Sequence, residues 1–434
     1  MKRVFIVGVG MTRFLQPFTH SFDYVTLGKE AVYRAIRDVN IDYEIINEAA
    51  VGYVYGDSCS GQRILYEIGQ SGIPIYNINN RECSGSSAIH VCYRSIVGGF
   101  SDYCLALGFD KSPKKEGAVF LDRADPLQPW KEKSKSLTKK MTLDVDISAQ
   151  AALEYIQKYG KNQIEMNLAK ITEKNYRHAK NNPYSLKNKA YNYKEILNAP
   201  MILEPLTGPQ CSLPSDGASA ILLCSEQFML THNLQDQAIE ILGISFLTNG
   251  ASDLNSNSYI TLSGYDLTKK TAQNLYSQIK MSSNDIDVCE LQDNTSMNEL
   301  LSYEALAFCP EGQSFDFIEK NLNSYGGKVV INPSGGVIGK GNCLGANGIA
   351  QCVELCWQLR GMAGNTQVKN TRVGLQHSLS LGGSCVMLAY SKFNREKGWS
   401  RKNQTSDPEI LETIEKKEYE DFKRNNERET CPKK

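Results

Sequence analysis

Residues 328–361 read KVVINPSGGVIGKGNCLGANGIAQCVELCWQLRG, where β-branched residues run into a glycine-rich turn and then into a helical pattern. The same order of elements occurs at 75–99, in the sequence IYNINNRECSGSSAIHVCYRSIVGG. A short apolar strand followed by a turn and a helix is typical of an α/β unit with parallel strands. Its repetition predicts that the chain contains this unit twice.

The strands that precede the two units are also alike. AIEILGISF at 238–246 resembles RVFIVGVGM at 3–11. IDVCELQDN at 286–294 lies at the position in the second copy that corresponds to AAVGYVYGD at 49–57 in the first. A period this long indicates a duplicated domain and not a solenoid of short repeats. We therefore predict an α/β fold with a mainly parallel core sheet. In the first half, the predicted strands are Val4–Val9, Ala50–Tyr55, Ile75–Ile78 and Tyr103–Gly108, and the predicted helices are Leu27–Asp38 and Ser86–Val97.

Changes of composition divide the chain into four parts. The N-terminal half comprises residues 1–110 and 200–236, and the C-terminal half comprises residues 237–393. Residues 111–199, which are rich in Lys, Asn and Tyr, are predicted to form an inserted loop domain. Residues 394–434 form a tail dense in charges of both signs, in which Ser406 and Glu409 make a capping box. We predict a solvated helix for this tail, with docking to a partner protein as the alternative.

The composition is that of a globular protein and excludes several classes of function. Hydrophobic residues make up 41% and charged residues 22% of the 434 residues, which is ordinary for a folded chain. The 48 basic and 48 acidic residues give a formal net charge of zero, so no global field attracts nucleic acid or an anionic membrane. The 13 cysteines include no CxxC pair, which argues against zinc sites and redox dithiols and favours free thiols in a reducing compartment.

The sequence has no pattern of a membrane span or of a cleaved leader. The apolar run VFIVGVG is too short for a leader, and Arg13 follows it without a cleavage pattern. No apolar run approaches the roughly 20 residues that a bilayer requires. The last residues, Cys431-Pro432-Lys433-Lys434, differ from the Ser-Lys-Leu type of peroxisomal address. The cytoplasm is therefore the expected compartment.

Five motifs carry a resemblance to a known family. They are NNPYS at 181–185, NELLSYEAL at 298–306, CPEGQ at 309–313, YGGKVVINPSGG at 325–336 and QCVELCWQLRG at 351–361. From about Arg3 to Tyr390 the chain resembles the thiolase domain of sterol carrier protein X, the thiolase type linked to sterol carrier protein 2.

This resemblance implies a fold, an activity and a ligand. The implied fold is the thiolase fold, a duplication of βαβαβαββ halves in a five-layer αβαβα sandwich, normally in a homodimer. Family members cleave 3-ketoacyl-CoA with CoA or run the reverse Claisen condensation. Coenzyme A or an acyl-CoA is therefore the expected ligand, with no further cofactor, and the family is often peroxisomal.

The family nucleophile is a cysteine three residues before the glycine of a Gly-Ser-Ser-Ala run, here Gly85 to Ala88. Glu82 stands at that position, and Cys83 follows one residue late. One residue corresponds to about 100° of rotation on a helix, so Cys83 is expected to point away from the site. We interpret Cys83 as a buried small residue and Glu82 as an electrostatic cap of the helix.

Two further family motifs lack their proton-transfer groups. The family's His-Asp-Cys-Phe reads Gln292-Asp293-Asn294-Thr295 here, so the histidine and the cysteine are replaced by amides. The family's Gly-His-Pro-Leu-Gly reads Gly341-Asn342-Cys343-Leu344-Gly345. Gln292 and Asn342 can donate hydrogen bonds, but an amide cannot exchange a proton near neutral pH. By resemblance, Gly341 and Gly345 border the ligand, and Cys343 is a second thiol near the pocket.

The fourth family element is a Gln-His-Asn-Leu-Gly run before a Gly-Gly turn. It reads Gln376-His377-Ser378-Leu379-Ser380 here, followed by Gly382 and Gly383. His377 is the only histidine that matches a family active-site position, and the two glycines are predicted to border the ligand.

Three functions remain open from the sequence. The first is a thiolase-like protein that has lost its catalytic centre and binds acyl-CoA or lipid, or serves as a dimeric structural module. The second is an active 3-ketoacyl-CoA thiolase of the propanoyl-CoA C-acyltransferase type, with Cys83 or Cys343 as the nucleophile. The third is a retro-aldol lyase on the same fold, in which Glu82 acts as a base with a raised pKa. We favour the first, because a nucleophile and both proton-transfer groups are replaced together.

Overall fold

A computed structural model describes residues 2–114, 124–134, 142–187 and 189–393. The predictions made for the tail at 394–434, including its helix and its capping box, lie outside these residues.

Ten of the strands form one mixed sheet, in which five neighbouring pairs are antiparallel and four are parallel, so the expectation of a mainly parallel core sheet is wrong. The strands are β1 (Val4–Met11), β2 (Glu48–Gly52), β3 (Ile75–Ile78), β4 (Tyr103–Asp110), β5 (Met201–Leu203), β6 (Leu206–Thr207), β7 (Gly217–Ser225), β8 (Ile239–Thr248), β9 (Val288–Leu291), β10 (Val330–Ile331), β11 (Val373–Ser380) and β12 (Ser384–Lys392). The order in the large sheet is β10-β9-β11-β12-β8-β1-β7-β4-β2-β3, and β5 and β6 form a separate pair.

The sheet consists of two halves with the same topology. Strands β1, β2, β3, β4 and β7 of the first half correspond to β8, β9, β10, β11 and β12 of the second. In both halves the last strand lies between the first and the fourth and is antiparallel to them, whereas the second strand is parallel to the third and the fourth. The halves meet at a short antiparallel pairing of β1 with β8. The duplication predicted from the sequence is therefore present in the topology.

Fifteen α-helices occur in the described residues. They are α1 (Tyr24–Val39), α2 (Ser60–Leu65), α3 (Ser84–Gly98), α4 (Gln128–Lys131), α5 (Leu143–Tyr159), α6 (Lys161–Lys180), α7 (Tyr193–Leu197), α8 (Glu226–Thr231), α9 (Ala251–Leu254), α10 (Tyr259–Leu262), α11 (Tyr265–Ile279), α12 (Ser296–Ala305), α13 (Ser314–Glu319), α14 (Gly336–Lys340) and α15 (Leu344–Arg360).

The helices that follow the third strand of each half form the centre of the molecule. Helices α3 and α15 pack on each other, and α15 contacts strands of both halves. Helix α1 covers the strands of the first half, and α11 covers those of the second. Glycines permit the central contact, since a Cβ added at Gly85 would lie 2.7 Å from the carbonyl oxygen of Gly345. This order of layers is that of the thiolase fold.

All six predicted elements of the first half are present. Four are longer than predicted and β3 has the predicted bounds, but the second strand is displaced. It was expected at Ala50–Tyr55 and runs from Glu48 to Gly52. The backbone N–H groups of Val54 and Tyr55 donate to the carboxylate of Asp110, at 3.0 and 2.8 Å, and not to a neighbouring strand. A side chain from the end of β4 therefore ends the strand, which the periodicity of residues 50–55 does not reveal.

The described residues contain no helix with the length and hydrophobicity needed to cross a bilayer. Twelve of the cysteines lie in this part of the chain, all as free thiols, and Cys59 is the only exposed one among them. The expectation of free, mostly buried thiols is confirmed for these twelve.

Candidate active site

The position of the family nucleophile lies at the N-terminus of α3, and a buried carboxylate occupies it. Glu82 is 1% exposed. Its Oε2 accepts a hydrogen bond of 2.8 Å from Ser380 Oγ, and its Oε1 lies 3.3 Å from Nη2 of Arg81. The charge of Glu82 raises the pKa of the Arg81 guanidinium above its ordinary value. Glu82 is thus held in an ion pair directly before Cys83, the N-cap residue of α3, and its role as an electrostatic cap of that helix stays a prediction.

Cys83 is the N-cap residue of α3 and points into the protein core. Its side chain is fully buried, and its Sγ donates to the carbonyl oxygen of Ser384, 3.3 Å away on β12. Burial raises the pKa of this thiol well above its ordinary value, and the neighbouring Cys385 and Glu82 act in the same direction. The thiolate that acyl transfer needs is therefore strongly disfavoured at Cys83.

The replaced motifs meet in a chain of side-chain amides. Asn347 Oδ1 accepts from the backbone N–H of Cys343 at 3.1 Å, and Asn347 Nδ2 donates to Asn342 Oδ1 at 2.6 Å. Asn342 Nδ2 donates to Ser212 Oγ at 3.2 Å and, more weakly, to Asn294 Oδ1 at 3.4 Å. We name the three amides of Asn347, Asn342 and Asn294 the amide relay.

The direction of the amide relay is fixed at both ends. It starts at a backbone N–H, which can only donate, and it ends where Asn294 Nδ2 faces Asp144 Oδ1 at 3.5 Å. Gln292 Nε2 also donates to Asn294 Oδ1, at 2.7 Å, while no partner for Gln292 Oε1 is present among the described residues. Each of these side-chain amides thus directs at least one N–H group to a protein acceptor.

Cys343 lies directly before α15, in an environment that disfavours the thiolate form of its side chain. Its Sγ is fully buried and faces the carbonyl oxygen of Gly217 at 3.4 Å. Burial raises its pKa well above the ordinary value, and the nearby Asp110 and Asp216 act in the same direction. Gly345 donates its backbone N–H to Asp110 Oδ2 at 2.6 Å, and a Cβ added at Gly341 would lie 2.9 Å from Ser215 Oγ. Both glycines serve close packing around Asn342.

His377 lies outside this cluster. Gln376 and Ser378, its neighbours on β11, hydrogen-bond to Ser86 on α3 at the centre of the molecule. Because successive side chains of a strand face opposite sides, His377 points to the outer helix α11, where its Nε2 lies 3.1 Å from Thr268 Oγ1. Burial lowers its pKa to about 3, so the ring is neutral at physiological pH. The expectation that His377 belongs to the site is corrected by this strand geometry.

Gly382 and Gly383 form the turn between β11 and β12 beside Glu82. The N–H of Gly382 donates to Ser380 Oγ at 3.1 Å, and the carbonyl oxygen of Gly383 accepts from Asn249 N–H at 3.0 Å. Gly383 has φ of 83°, which favours glycine at this position. In this structure the turn orients Ser380 toward Glu82.

Sequence reasoning missed Asp144, which belongs to α5 in the region predicted as an insert. Its Oδ2 lies 3.7 Å from Arg81 Nη2, and its side chain is 20% exposed. Burial, together with the negative charge of Glu82, raises the pKa of Asp144 to about 6. No family motif covers this residue, so only the path of α5 across the site reveals it.

A small pocket adjoins the cluster. It is lined by Asp144, Ile147, Ser148, Ser263, Gln292, Asn294, Asn298, Leu379 and Leu381. Its volume of about 20 Å³ suffices for one water molecule or one hydroxyl group.

Comparisons with known proteins agree with the fold. The family model "Thiolase, N-terminal domain" matches residues 4–196, and "Thiolase C-terminal domain-like" matches residues 252–389. Sterol carrier protein 2 of Gallus gallus is 45% identical over 394 residues, which cover 90% of this chain and 72% of that protein.

Two solved structures share the fold. The structure titled Ltp2-ChsH2(DUF35) aldolase matches with a TM-score of 0.75 and 20% identity, over 91% of this chain and 99% of that one. Human mitochondrial 3-ketoacyl-CoA thiolase in complex with CoA matches with a TM-score of 0.66 and 15% identity, over 91% and 98%. Fold and site thus define a thiolase-like protein. Within that class, the chain belongs to the thiolase family of the sterol carrier protein 2 type.

Proposed function

We propose that this protein is a thiolase-like acyl-CoA-binding or lipid-binding protein without thiolase turnover. The observation that carries the proposal is Glu82, a buried carboxylate held by Ser380 and Arg81 where the family places its nucleophilic cysteine. A carboxylate in an ion pair is a poor acceptor of an acyl group from a thioester. Removing the nucleophile of an acyl-transfer site typically costs on the order of 10⁶ in turnover.

The surrounding hydrogen bonds support the same proposal. Thiolysis requires donors for the thioester oxyanion and for the enolate, and loss of one such donor costs roughly 2.7–4 kcal/mol. The amides of Gln292 and Asn342 each donate to a protein acceptor, and the carboxylates of Glu82 and Asp144, which share the single cation Arg81, leave this group of three side chains with a net negative charge. An enolate would meet repulsion here instead of stabilisation.

Each histidine also has its hydrogen bonds or ring contacts elsewhere. His20 lies against Asp216, His90 against Phe246, His178 against Asn332, His232 against Phe228 and His377 against Thr268. No imidazole is therefore in a position to exchange protons with Glu82 or with a bound thiol.

A CoA-cleavage assay tests the loss of turnover. Purified protein is mixed with acetoacetyl-CoA and CoA, beside the variants Cys83→Ala and Cys343→Ala. We expect the same background rate in all three proteins. A rate of the wild type that falls more than tenfold in either variant would instead establish an active thiolase with that cysteine as its nucleophile.

A calorimetric titration tests the ligand. CoA, acetyl-CoA and a long-chain acyl-CoA are each titrated into the protein, and sedimentation measures whether it is the homodimer that the family resemblance leads us to propose. Saturable binding of an acyl-CoA supports the ligand-binding version. A dimer that binds none of the three at millimolar concentration leaves only the structural module. The compartment, cytoplasm or peroxisome, also stays a prediction, which a fluorescent fusion of the full chain tests.

A retro-aldol lyase is the second candidate, and the pair of Glu82 and Asp144 favours it. Such a reaction needs a base for a β-hydroxyl proton and no acyl-enzyme, and a carboxyl with a pKa of about 6 suits general acid-base work. The structural relative with a TM-score of 0.75 is titled an aldolase, although that likeness concerns the fold. Release of an aldehyde or ketone from 3-hydroxyacyl-CoA substrates, compared between wild type, Glu82→Gln and Asp144→Asn, tests it. Equal rates in all three would exclude this role of the pair.

A further inference from the structure

A large groove lies at the end of the C-terminal half that is remote from the candidate site. It has a volume of about 690 Å³ and is lined by Asp287, Tyr325, Gly326, Gly327, Lys328, Val330, Gln367, Val368, Lys369, Asn370 and Arg372. Asp287 precedes β9, whereas Gln292 of the candidate site follows that strand. We call this feature the basal groove. Its volume is within the range of pockets that hold ligands or peptide side chains.

The lining of the basal groove is basic. It contains the cations Lys328, Lys369 and Arg372 and a single acid, Asp287. Arg372 Nη2 is paired with Asp287 Oδ1 at 2.7 Å, so the two lysines are the excess charge. Tyr325, with 41% of its surface exposed, adds apolar area beside them. A fitting occupant therefore carries several carboxylates and a few apolar side chains.

The last described strand ends at the same end of the sheet as this groove. Ser391 of β12 pairs with Val373 of β11, and Val373 directly follows the lining residue Arg372. Strand β12 ends at Lys392, so the described chain leaves the sheet at the same end as the groove, and Phe393 lies beside β8, where its backbone N–H donates to the carbonyl oxygen of Ala238 at 2.9 Å. Residues 394–405 separate this exit from the segment SDPEILETIE at 406–415. A linker of that length spans up to about 40 Å, which is ample for neighbouring strands about 5 Å apart.

We propose that residues 406–415 dock into the basal groove of their own chain. This segment carries Asp407, Glu409, Glu412 and Glu415 and no cation, and it offers Ile410, Leu411 and Ile414 as apolar side chains. Charge and apolar content thus complement the groove. A short tether gives the segment a local concentration in the millimolar range, so docking within one chain is favoured over docking between chains.

Carbodiimide cross-linking of the full chain tests the proposal, because it joins a lysine directly to a carboxylate in contact with it. Protein at natural isotope abundance is mixed with an equal amount of ¹⁵N-labelled protein before the reaction. We expect cross-linked peptides in which Lys369 or Lys328 is joined to the 406–415 segment. In each pair, both peptides should be ¹⁵N-labelled or both unlabelled. Pairs of mixed label would show docking between chains, and the absence of any cross-link between these lysines and the segment would show an empty groove. Either result overturns the proposal.

Charge exchange provides the matched variants. Lys369→Glu and the double change Glu409→Lys with Glu412→Lys are each expected to lower the cross-linked fraction at least fivefold. The combination of all three changes is expected to restore cross-links between position 369 and the segment. Lys320→Glu is the control, since Lys320 is 65% exposed and does not line the groove. If the combination cross-links no better than either parent, or if Lys320→Glu has the same effect, the proposal fails.

Discussion

Asn347 donates a hydrogen bond from its side-chain amide to Oδ1 of Asn342 over 2.6 Å, and this contact sets the polarity of the candidate site. The other side of Asn347 accepts from the backbone N–H of Cys343, so its amide cannot be reversed without loss. Asn342 must therefore present its Nδ2 to Ser212 and Asn294. Asn342 thus forms part of a hydrogen-bonded network at the position where the family motif has a histidine.

Changes of Asn347 should destabilise the protein in a pH-dependent way. Asn347→Asp keeps an oxygen that accepts from the N–H of Cys343. Its second oxygen, however, would lie next to Asn342 Oδ1, so two acceptors would repel each other. We expect a loss of about 1–3 kcal/mol in the free energy of unfolding at pH 8. The loss should shrink at pH 5, because a protonated carboxyl can donate to Asn342. Urea unfolding at both pH values measures it, with Asn347→Ala as a control that lacks the pH dependence.

The thiols should react according to their burial. Cys59 is exposed, and an aromatic disulfide reagent should modify it within minutes in the folded protein. Cys83 and Cys343 should stay unmodified until urea unfolds the chain, because burial disfavours both thiolates. Peptide mass spectrometry after timed labelling checks this order, and Cys59→Ser removes the fast signal at that peptide. Rapid labelling of Cys83 in the folded state would contradict the geometry and reopen its role as a nucleophile.

Asp144→Asn should stabilise the protein more at neutral pH than in acid. The pKa of Asp144 is about 6 in the folded chain and 3.8 as its ordinary value, so the folded state binds this proton more tightly. The contribution of Asp144 to the free energy of unfolding therefore falls as the pH rises from about 4 to 6. Asparagine does not titrate. The difference in the free energy of unfolding between Asp144→Asn and wild type should therefore grow over this pH range by up to about 3 kcal/mol, in favour of the variant, and then level off.

Asp125→Asn is the control of opposite sign. The hydrogen bond with Lys131 lowers the pKa of Asp125, so its charged form favours the folded state. That variant should lose stability relative to wild type as the pH rises through the acid range. Thermal melts of both variants between pH 4 and 8 decide the matter, and parallel curves for Asp144→Asn and wild type would refute the assignment.

The ion pair of Lys174 and Glu299 should be a strong determinant of stability. Both side chains are buried, and Lys174 Nζ also donates to the carbonyl oxygen of Ile331 at 3.1 Å. Lys174→Met leaves a buried carboxylate without its cation, which typically costs 3–5 kcal/mol, so we expect a drop of about that size. The double variant Lys174→Met with Glu299→Gln should recover part of it. Urea unfolding of the wild type and the variants measures these differences, and a single-variant loss below about 1 kcal/mol would be inconsistent with a buried pair.

Much of the fold could be read from the sequence, because repeated local patterns encode it. The strand-turn-helix units at 75–99 and 328–361 have the β-branched runs and glycine turns that local sterics require, and both form in the structure. The replacement of the family nucleophile by Glu82 is likewise a matter of sequence register. The end of β2 could not be read in the same way, because the stop comes from Asp110, more than fifty residues away.

In the candidate site, too, local sequence decided some features and contacts with distant residues decided others. The sequence by itself determined the duplicated architecture, the family and the identity of the residues at Glu82, Asn294 and Asn342. Only the tertiary structure decided that Cys83 faces Ser384, that His377 faces α11 and that Asp144 joins the site from α5. The physical reason is that local patterns fix which element a residue belongs to. Side-chain direction, burial and ionisation depend on which distant elements pack beside it.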